Sequence, residues 1–216
     1  MPTLVQSAFN EAVGSSTNVK AFTSNVVANN LLVVGIVVGN GQTVSSITDS
    51  QNNSYTQAGV YETDPQLSIY YAVASSSAAN TVTATLTGTP TSQMWIYEVN
   101  GHAGTNTASV TATGSTTSIS TANVSFSSAV LFAVFRSAAA NGFTAGTGFT
   151  LSSNSNGGTG MESAMAGITS PTTFPADEVA PASTWTELGV AIGTIGGGAF
   201  SESGSKRQYR RGNFKR

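Results

Sequence analysis

At 216 residues, the chain is 39% hydrophobic and only 8% charged, with 23 glycines and no cysteine. The missing cysteines exclude a disulfide-bonded scaffold and a thiolate metal site, and the regular apolar runs exclude a disordered chain. The length allows one large all-β domain or two small ones, and it is enough to bury a core without covalent cross-links.

The N-terminal stretch MPTLVQSAFNEAVG has neither the cationic nor the apolar segment of a secretory signal peptide. The longest apolar run, Leu31–Val38, is interrupted by Gly35 and is too short to span a bilayer. We therefore expect neither secretion through a signal peptide nor membrane insertion. The Thr-, Ser-, Gly- and Asn-rich composition nevertheless suits an exterior protein. A virion protein, made in the host cytoplasm and released by lysis, reconciles the two observations, with an extracellular or cell-surface protein as the alternative.

Apolar and polar residues alternate with a period of two, which predicts antiparallel β-strands. In Thr81–Thr87, three apolar residues share one face and four threonines the other, as in a half-buried strand. Leu31–Val38 is apolar enough to be covered on both faces. The predicted strands are Leu31–Val38, Leu67–Val73, Thr81–Thr87, Ser92–Val99 and Ala129–Arg136.

Turn-forming residues separate these strands, and no helical period of any length occurs. The turn clusters lie at residues 39–41, 49–53, 88–90, 141–142 and 154–160. Short strands at such spacing predict an all-β fold, a jelly-roll-like antiparallel β-sandwich that spans residues 1–192.

A weak internal repeat runs through this sandwich. The segment NLLVVGIVVGNG near residue 30 is similar to AVLFAVFRSAAANG near residue 129, and LSIYYAVA…TSQMWIYEV is similar to MESAMAGIT…ASTWTELGVAI. Trp95 and Trp185 fall in similar places, each soon followed by a glutamate. We interpret the repeat as two half-sandwich units that share one core, with chance similarity between low-complexity sequences as the alternative.

Charge is concentrated at the C-terminus. Residues 1–200 contain two basic and nine acidic residues, a net charge of −7, whereas residues 201–216 carry six basic residues and one acidic residue, a net charge of +5. Glycines in 193–200 predict a flexible hinge before this basic C-terminal arm, 201–216. The candidate partner-binding residues of the arm are Lys206, Arg207, Tyr209, Arg210, Arg211, Phe214, Lys215 and Arg216.

The arm has three interpretations. It can anchor the protein to an acidic surface of a neighbour, with Tyr209 and Phe214 as apolar contacts. It can bind nucleic acid, since arginine suits phosphate and aromatic rings stack on bases. It can also be a free, solubilising tail. We favour the anchor.

Several stretches of residues 3–192 resemble a β-sandwich module that recurs in tailed-phage structural proteins and bacterial extracellular proteins. They are NNLLVVGIVV, VSSITDSQNNSYTQAG, LSIYYAVASSSAANTVTATLTG, MWIYEVNG, FTAGTGFTL and STWTELGVAIG. The resemblance implies a structural or binding module without catalytic residues, and it does not extend to the arm.

No catalytic or metal-binding constellation stands out, and no cofactor is expected. The single histidine, His102, lies in a loop, and general-base chemistry would need an orienting carboxylate and a nucleophile beside it. Asp49 with Asn52 and Asn53 could supply oxygen ligands to Ca²⁺, but a turn in which Asp49 caps its own hairpin is the favoured interpretation.

Aromatic residues raise the alternative of a saccharide-stacking surface. Tyr61, in a loop, and Trp95 are the candidate ligand-binding residues, although aromatics on alternating strands more often belong to the core. The sequence thus predicts a non-enzymatic structural protein of a bacteriophage virion, a capsid decoration or tail component. Its partners would be major capsid or tail proteins and further copies of itself, with nucleic acid as an option for the arm. A carbohydrate-binding or adhesive surface module is the alternative.

Overall fold

The structure, a computed structural model, describes residues 2–102, 104–121, 128–138, 143–155, 158–164, 175–178 and 183–194. Within these ranges the chain forms sixteen β-strands and no helix, which confirms the all-β prediction. The strands are β1 Thr3–Ala12, β2 Thr17–Ala21, β3 Leu31–Val38, β4 Val44–Asp49, β5 Thr56–Tyr61, β6 Gln66–Val73, β7 Thr81–Leu86, β8 Ser92–Asn100, β9 Asn106–Gly114, β10 Ser118–Ser120, β11 Ser128–Ser137, β12 Phe143–Ala145, β13 Thr150–Ser155, β14 Thr159–Ala164, β15 Pro175–Glu178 and β16 Trp185–Thr194.

The strands form two repeats of identical topology. In the first repeat, an inner sheet has the order β1-β8-β3-β6-β5 and an outer sheet the order β2-β7-β4. In the second, the inner sheet is β9-β16-β11-β14-β13 and the outer sheet β10-β15-β12, so every strand number rises by eight. Each repeat has the connectivity of a jelly roll. The predicted repeat therefore exists, but each copy is a complete eight-stranded sandwich and not a half.

The two inner sheets pack face to face. A central core joins them and contains apolar residues of both repeats, among them Leu31, Trp95, Phe132 and Leu188. A second core lies between the sheets of the first repeat, and two smaller clusters fill the second repeat. All eight residues of β3 are buried, as predicted, because its sheet is covered on both sides.

The repeats approach each other closely at Gly35. A Cβ placed on this glycine would lie 2.2 Å from Met161 Sδ of the second repeat, so a larger residue would push the inner sheets apart. Glycine here creates the space into which the Met161 side chain packs.

Register shows which residues of the two repeats are equivalent. Val38 pairs with Ser92 at the end of β3, and Ser137 pairs with Trp185 at the end of β11. Trp185 is therefore equivalent to Ser92, and Trp95, three residues further along, is equivalent to Leu188. The similar placement of the two tryptophans predicted from the sequence holds for their strands but not for their positions: Trp95 faces the central core and Trp185 a core within the second repeat.

Candidate functional site

The predicted basic arm lies outside the described residues, so its eight candidate side chains have no described position. The strand β16 extends to Thr194 and pairs Gly193 with Asn106 and Ala129. The first two residues of the segment assigned to the hinge thus belong to the inner sheet of the second repeat, and residues 195–200 also lie outside the described part.

Trp95 is part of the central core and not of a ligand surface. Its side chain is 1% exposed, and its ring centroid lies 5.0 Å from that of Phe9 in a tilted arrangement. Trp95 has no exposed face for a ligand, because β8 lies in a sheet covered on both sides. This burial removes Trp95 from the candidate ligand site.

Tyr61 lies at the rim of a cleft between the two repeats. It ends β5, is half-buried, and packs partly against the central core. The cleft has a volume of about 560 Å³. Its lining comes from the β5–β6 turn and from the ends of β9, β11 and β16: Tyr61, Asp64, Pro65, Thr113, Gly114, Ser115, Arg136, Ala138, Thr184, Trp185 and Thr186.

One side of the cleft is a polar row across the inner sheet of the second repeat. Arg136 on β11 pairs with Thr186 on β16, and Thr186 pairs with Thr113 on β9. Residues directly opposite in adjacent strands have neighbouring side chains on the same face. The row follows the central core residues Val134 and Leu188 along their strands, so apolar packing gives way to polar groups here.

The cleft contains charges of both signs. Arg136 is half-buried and forms no ion pair within the described part of the chain, and Asp64, on the β5–β6 turn, is exposed. The Thr186 hydroxyl is buried and has no hydrogen-bond partner among the described residues. Arg136, Asp64 and the exposed threonines Thr113 and Thr184 thus supply donors and acceptors beside the Tyr61 ring.

Trp185 completes the wall near β9. Its indole lies against Gly114, where an added Cβ would be 2.4 Å from Cζ2, so glycine is required for this packing. Its Nε1 donates to Thr116 Oγ1 at 3.3 Å. These contacts hold the indole in one orientation, and the residue, which is 7% exposed, lines the cleft.

Asp49, the candidate calcium ligand, forms the centre of a turn. Its Oδ1 accepts from the backbone N–H groups of Gln51 (3.1 Å) and Asn53 (3.0 Å). Its Oδ2 accepts from Asn53 Nδ2 (2.8 Å), Asn80 Nδ2 (2.8 Å) and the Tyr55 hydroxyl (3.1 Å). Both oxygens are occupied by donors, as expected for a capped turn and not for a cation site.

These bonds also set the ionisation of Asp49. Burial alone would raise its pKa, but the hydrogen bonds from Asn80, Asn53 and Tyr55 outweigh burial, so the pKa is lowered. Burial, with the adjacent Asp49 charge, raises the pKa of Tyr55. The described residues contain no group of three or more metal-binding side chains.

His102 has no hydrogen-bond partner in the described part of the chain, and burial lowers its pKa. Glu98, the nearest carboxylate in sequence, is engaged elsewhere: Oε1 accepts from Val27 N (2.7 Å) and Asn30 Nδ2 (2.6 Å), and Oε2 from Gln6 Nε2 (2.6 Å). Glu98 therefore does not orient His102.

Sequence reasoning missed a buried glutamate in the second repeat. Glu187 is fully buried, and neither carboxylate oxygen has a hydrogen-bond partner among the described residues. Burial and the charge of Glu162 raise its pKa well above the usual range. The available signal was its position in β16, where Glu187 shares a face with Trp185 and Ala191, both of which are buried within the second repeat.

Comparisons with protein-family models, with curated proteins and with solved structures find no match to this chain. The described residues contain no helix long and apolar enough to cross a membrane.

Proposed function

We propose that this protein is a non-enzymatic structural component of a bacteriophage virion, a capsid decoration or tail protein, fastened by its basic C-terminal arm. The observation that carries this proposal is the separation of charge, −7 in residues 1–200 against +5 in residues 201–216. Opposite charge on the two parts of one chain favours contact between the arm of one copy and an acidic surface of a neighbour.

The folded body suits such a role. Two jelly rolls share a central core of large apolar residues, so the body is a rigid unit that a short arm can attach. Of the nine acids in residues 1–200, Asp49, Glu98, Glu162 and Glu187 are buried. Exposed acids such as Glu11, Glu62 and Asp64 are therefore the candidate partners on the body for the arm of the next copy.

The arm supplies a modest affinity that repetition multiplies. Full burial of Tyr209 and Phe214 would contribute about 1.5–3 kcal/mol each. Each exposed charge pair would add about 0–1 kcal/mol. Many copies on one particle would together give firm attachment, because each bound arm raises the local concentration of the others.

Deletion of residues 201–216 tests the anchor. We expect the truncated protein to keep its fold and to lose most of its occupancy in particles purified from the producing cells. A matched control keeps the arm at its full charge and replaces Tyr209 and Phe214 by alanine, which separates charge from apolar contact. Wild-type occupancy of the truncated protein would contradict the proposal. Salt-sensitive DNA binding that disappears with the deletion would favour the nucleic-acid interpretation.

Saccharide binding is the second candidate function, favoured by the position of Tyr61 on a polar cleft between the repeats. This role needs only the described body, so it is independent of the arm.

A further inference from the structure

We infer that the cleft between the two repeats is a binding site for a neutral saccharide, with Tyr61 as its stacking surface and Arg136, Asp64 and Thr113 as hydroxyl partners. The inference deepens the second candidate function and does not depend on the anchor.

The size of the cleft fits a small ligand. Its volume of about 560 Å³ falls within the roughly 300–1,000 Å³ that small-molecule sites occupy. It lies where two rigid sheets meet, and its lining comes from strand ends and one turn, so the site is already formed without a ligand.

The aromatic side chains suit the apolar face of a sugar ring. Tyr61 is half-buried, so part of its ring packs on the core and part faces the cleft. Trp185 also lines the cleft, but it is 7% exposed and packs in a core within the second repeat, so Tyr61 provides the stacking surface. A pyranose has a C–H face that packs on such a surface, while its hydroxyls point sideways.

The polar side chains match hydroxyl groups better than they match an ion. Arg136 only donates hydrogen bonds, an ionised Asp64 only accepts them, and a sugar hydroxyl does both. One positive and one negative side chain line the cleft, so an anionic ligand would meet Asp64 and a cationic one Arg136.

The site is a property of the second repeat and not of the jelly roll in general. In the first repeat, the row equivalent to Arg136, Thr186 and Thr113 is Val37, Gln93 and Glu11. Val37 is buried in the central core, where Arg136 reaches the cleft. The first repeat therefore packs against the second with a valine at this position, which indicates that packing of the inner sheets does not require an arginine there.

Saccharide titrations of the full chain test the inference. The neutral probes are the methyl glycosides of glucose, galactose, mannose and N-acetylglucosamine and their short oligosaccharides. Glucuronic acid and sialic acid are the anionic probes. We expect at least one neutral probe to bind, with an affinity that 0.5 M NaCl leaves unchanged. If oligosaccharides bind no more tightly than the monosaccharide, the natural ligand is a free sugar. If their affinity is at least tenfold higher, the natural ligand is a polysaccharide. Either result supports the site.

Matched variants locate the binding. Tyr61→Ala and Arg136→Gln should each weaken it at least tenfold. Lys20→Gln, the other cation of the body, and Glu62→Gln, an exposed carboxylate near Asp64 that does not line the cleft, should leave it unchanged. Tyr61→Phe keeps the ring and should retain binding, which guards against a folding defect in Tyr61→Ala. No binding by any neutral probe, preference for the anionic sugars, or binding unaffected by both cleft variants would each overturn the inference. Removal of residues 201–216 should leave saccharide binding unchanged, so failure of this inference can be distinguished from failure of the anchor proposal.

Discussion

The two repeats share one topology but differ in how completely their buried carboxylates are hydrogen-bonded. In the first repeat, Asp49 accepts five hydrogen bonds and Glu98 three, all from groups that need an acceptor. In the second, Glu187 is buried with no hydrogen bond among the described residues. The first repeat thus satisfies both of these acids, whereas in the second the buried Glu187 bears a desolvation cost that no described hydrogen bond offsets.

Equivalent positions show where this difference arises. Glu187 is the counterpart of Met94, which is fully buried in the core of the first repeat. An apolar contact in one repeat is therefore an unsatisfied carboxyl in the other. The comparison teaches that jelly-roll topology does not require an apolar residue at this position, although its stability depends on which residue is there.

The largest effect should follow from removing Asp49, the hydrogen-bonded carboxylate at the centre of the β4–β5 turn in the first repeat. Asp49→Ala leaves the buried donors of Asn53, Asn80 and Tyr55 without their acceptor. Each such group costs about 1–3 kcal/mol, so we expect a loss of about 3–5 kcal/mol in the free energy of unfolding. Chemical denaturation measures it. Asp49→Asn, which keeps one acceptor oxygen, should lose less; an equal loss would show that charge and not hydrogen bonding dominates.

The second repeat should respond in the opposite direction. Glu187→Met transfers the residue of the first repeat to the second and removes an unsatisfied buried carboxyl. A buried polar group without a hydrogen-bond partner costs about 1–3 kcal/mol, and we expect a gain in this range. The reverse transfer, Met94→Glu, should destabilise the protein. If Glu187→Met is destabilising, an unrecognised partner holds Glu187 in place.

The pH dependence of stability should also separate the repeats. The pKa of Glu187 is raised above the usual glutamate value of 4.5, so the folded state binds more protons than the unfolded state above that pH. Its contribution is complete below pH 4.5 and declines as the pH rises through the folded pKa, by at most about 1.4 kcal/mol per pH unit. Urea denaturation from pH 5 to 8 should show this decline in the wild type and not in Glu187→Met.

The pH dependence of stability that Asp49 contributes has the opposite sign. The lowered pKa of Asp49 makes its contribution to stability complete above the usual aspartate value of 3.8, and that contribution declines as the pH falls through the folded pKa. Hydrogen exchange below pH 4 should therefore increase first around the β4–β5 turn. Early exchange in β16 instead would contradict the assignment.

The smallest effect should follow from removing one of the five hydrogen bonds to Asp49. Tyr55→Phe removes a single hydrogen bond to Asp49 Oδ2 and should cost about 0.5–1.5 kcal/mol by thermal or chemical denaturation. Tyr71→Phe is the matched control, because Tyr71 packs against the central core without a hydrogen bond from its hydroxyl among the described residues. The control should change stability by less than Tyr55→Phe does.

Much of the fold could be predicted from the sequence because period-two alternation reports directly on the two faces of a strand. The five predicted strands match β3, β6, β7, β8 and β11 to within one residue at each end. The turn chemistry of Asp49 was predictable for a similar reason, since it depends on residues close in sequence.

The candidate site could not be predicted in this way. Tyr61 and Trp185 are far apart in sequence and meet only because two repeats stack, and nothing in either strand pattern specifies that stacking. The burial of Trp95 could not be predicted because both faces of β8 are buried, and the sequence does not show which face of such a strand reaches solvent. The arm stays a prediction.

The stacking of the inner sheets has a consequence for how the body holds together. Edge strand β1 of the first repeat contacts β13, and edge strand β5 contacts β9, so the two equivalent sheets run in opposite order, as two subunits do about a dyad. Here both halves belong to one polypeptide, joined by the short connection from Asn100 to Asn106. A contact of dimeric geometry has thereby become intramolecular, and dilution cannot dissociate it.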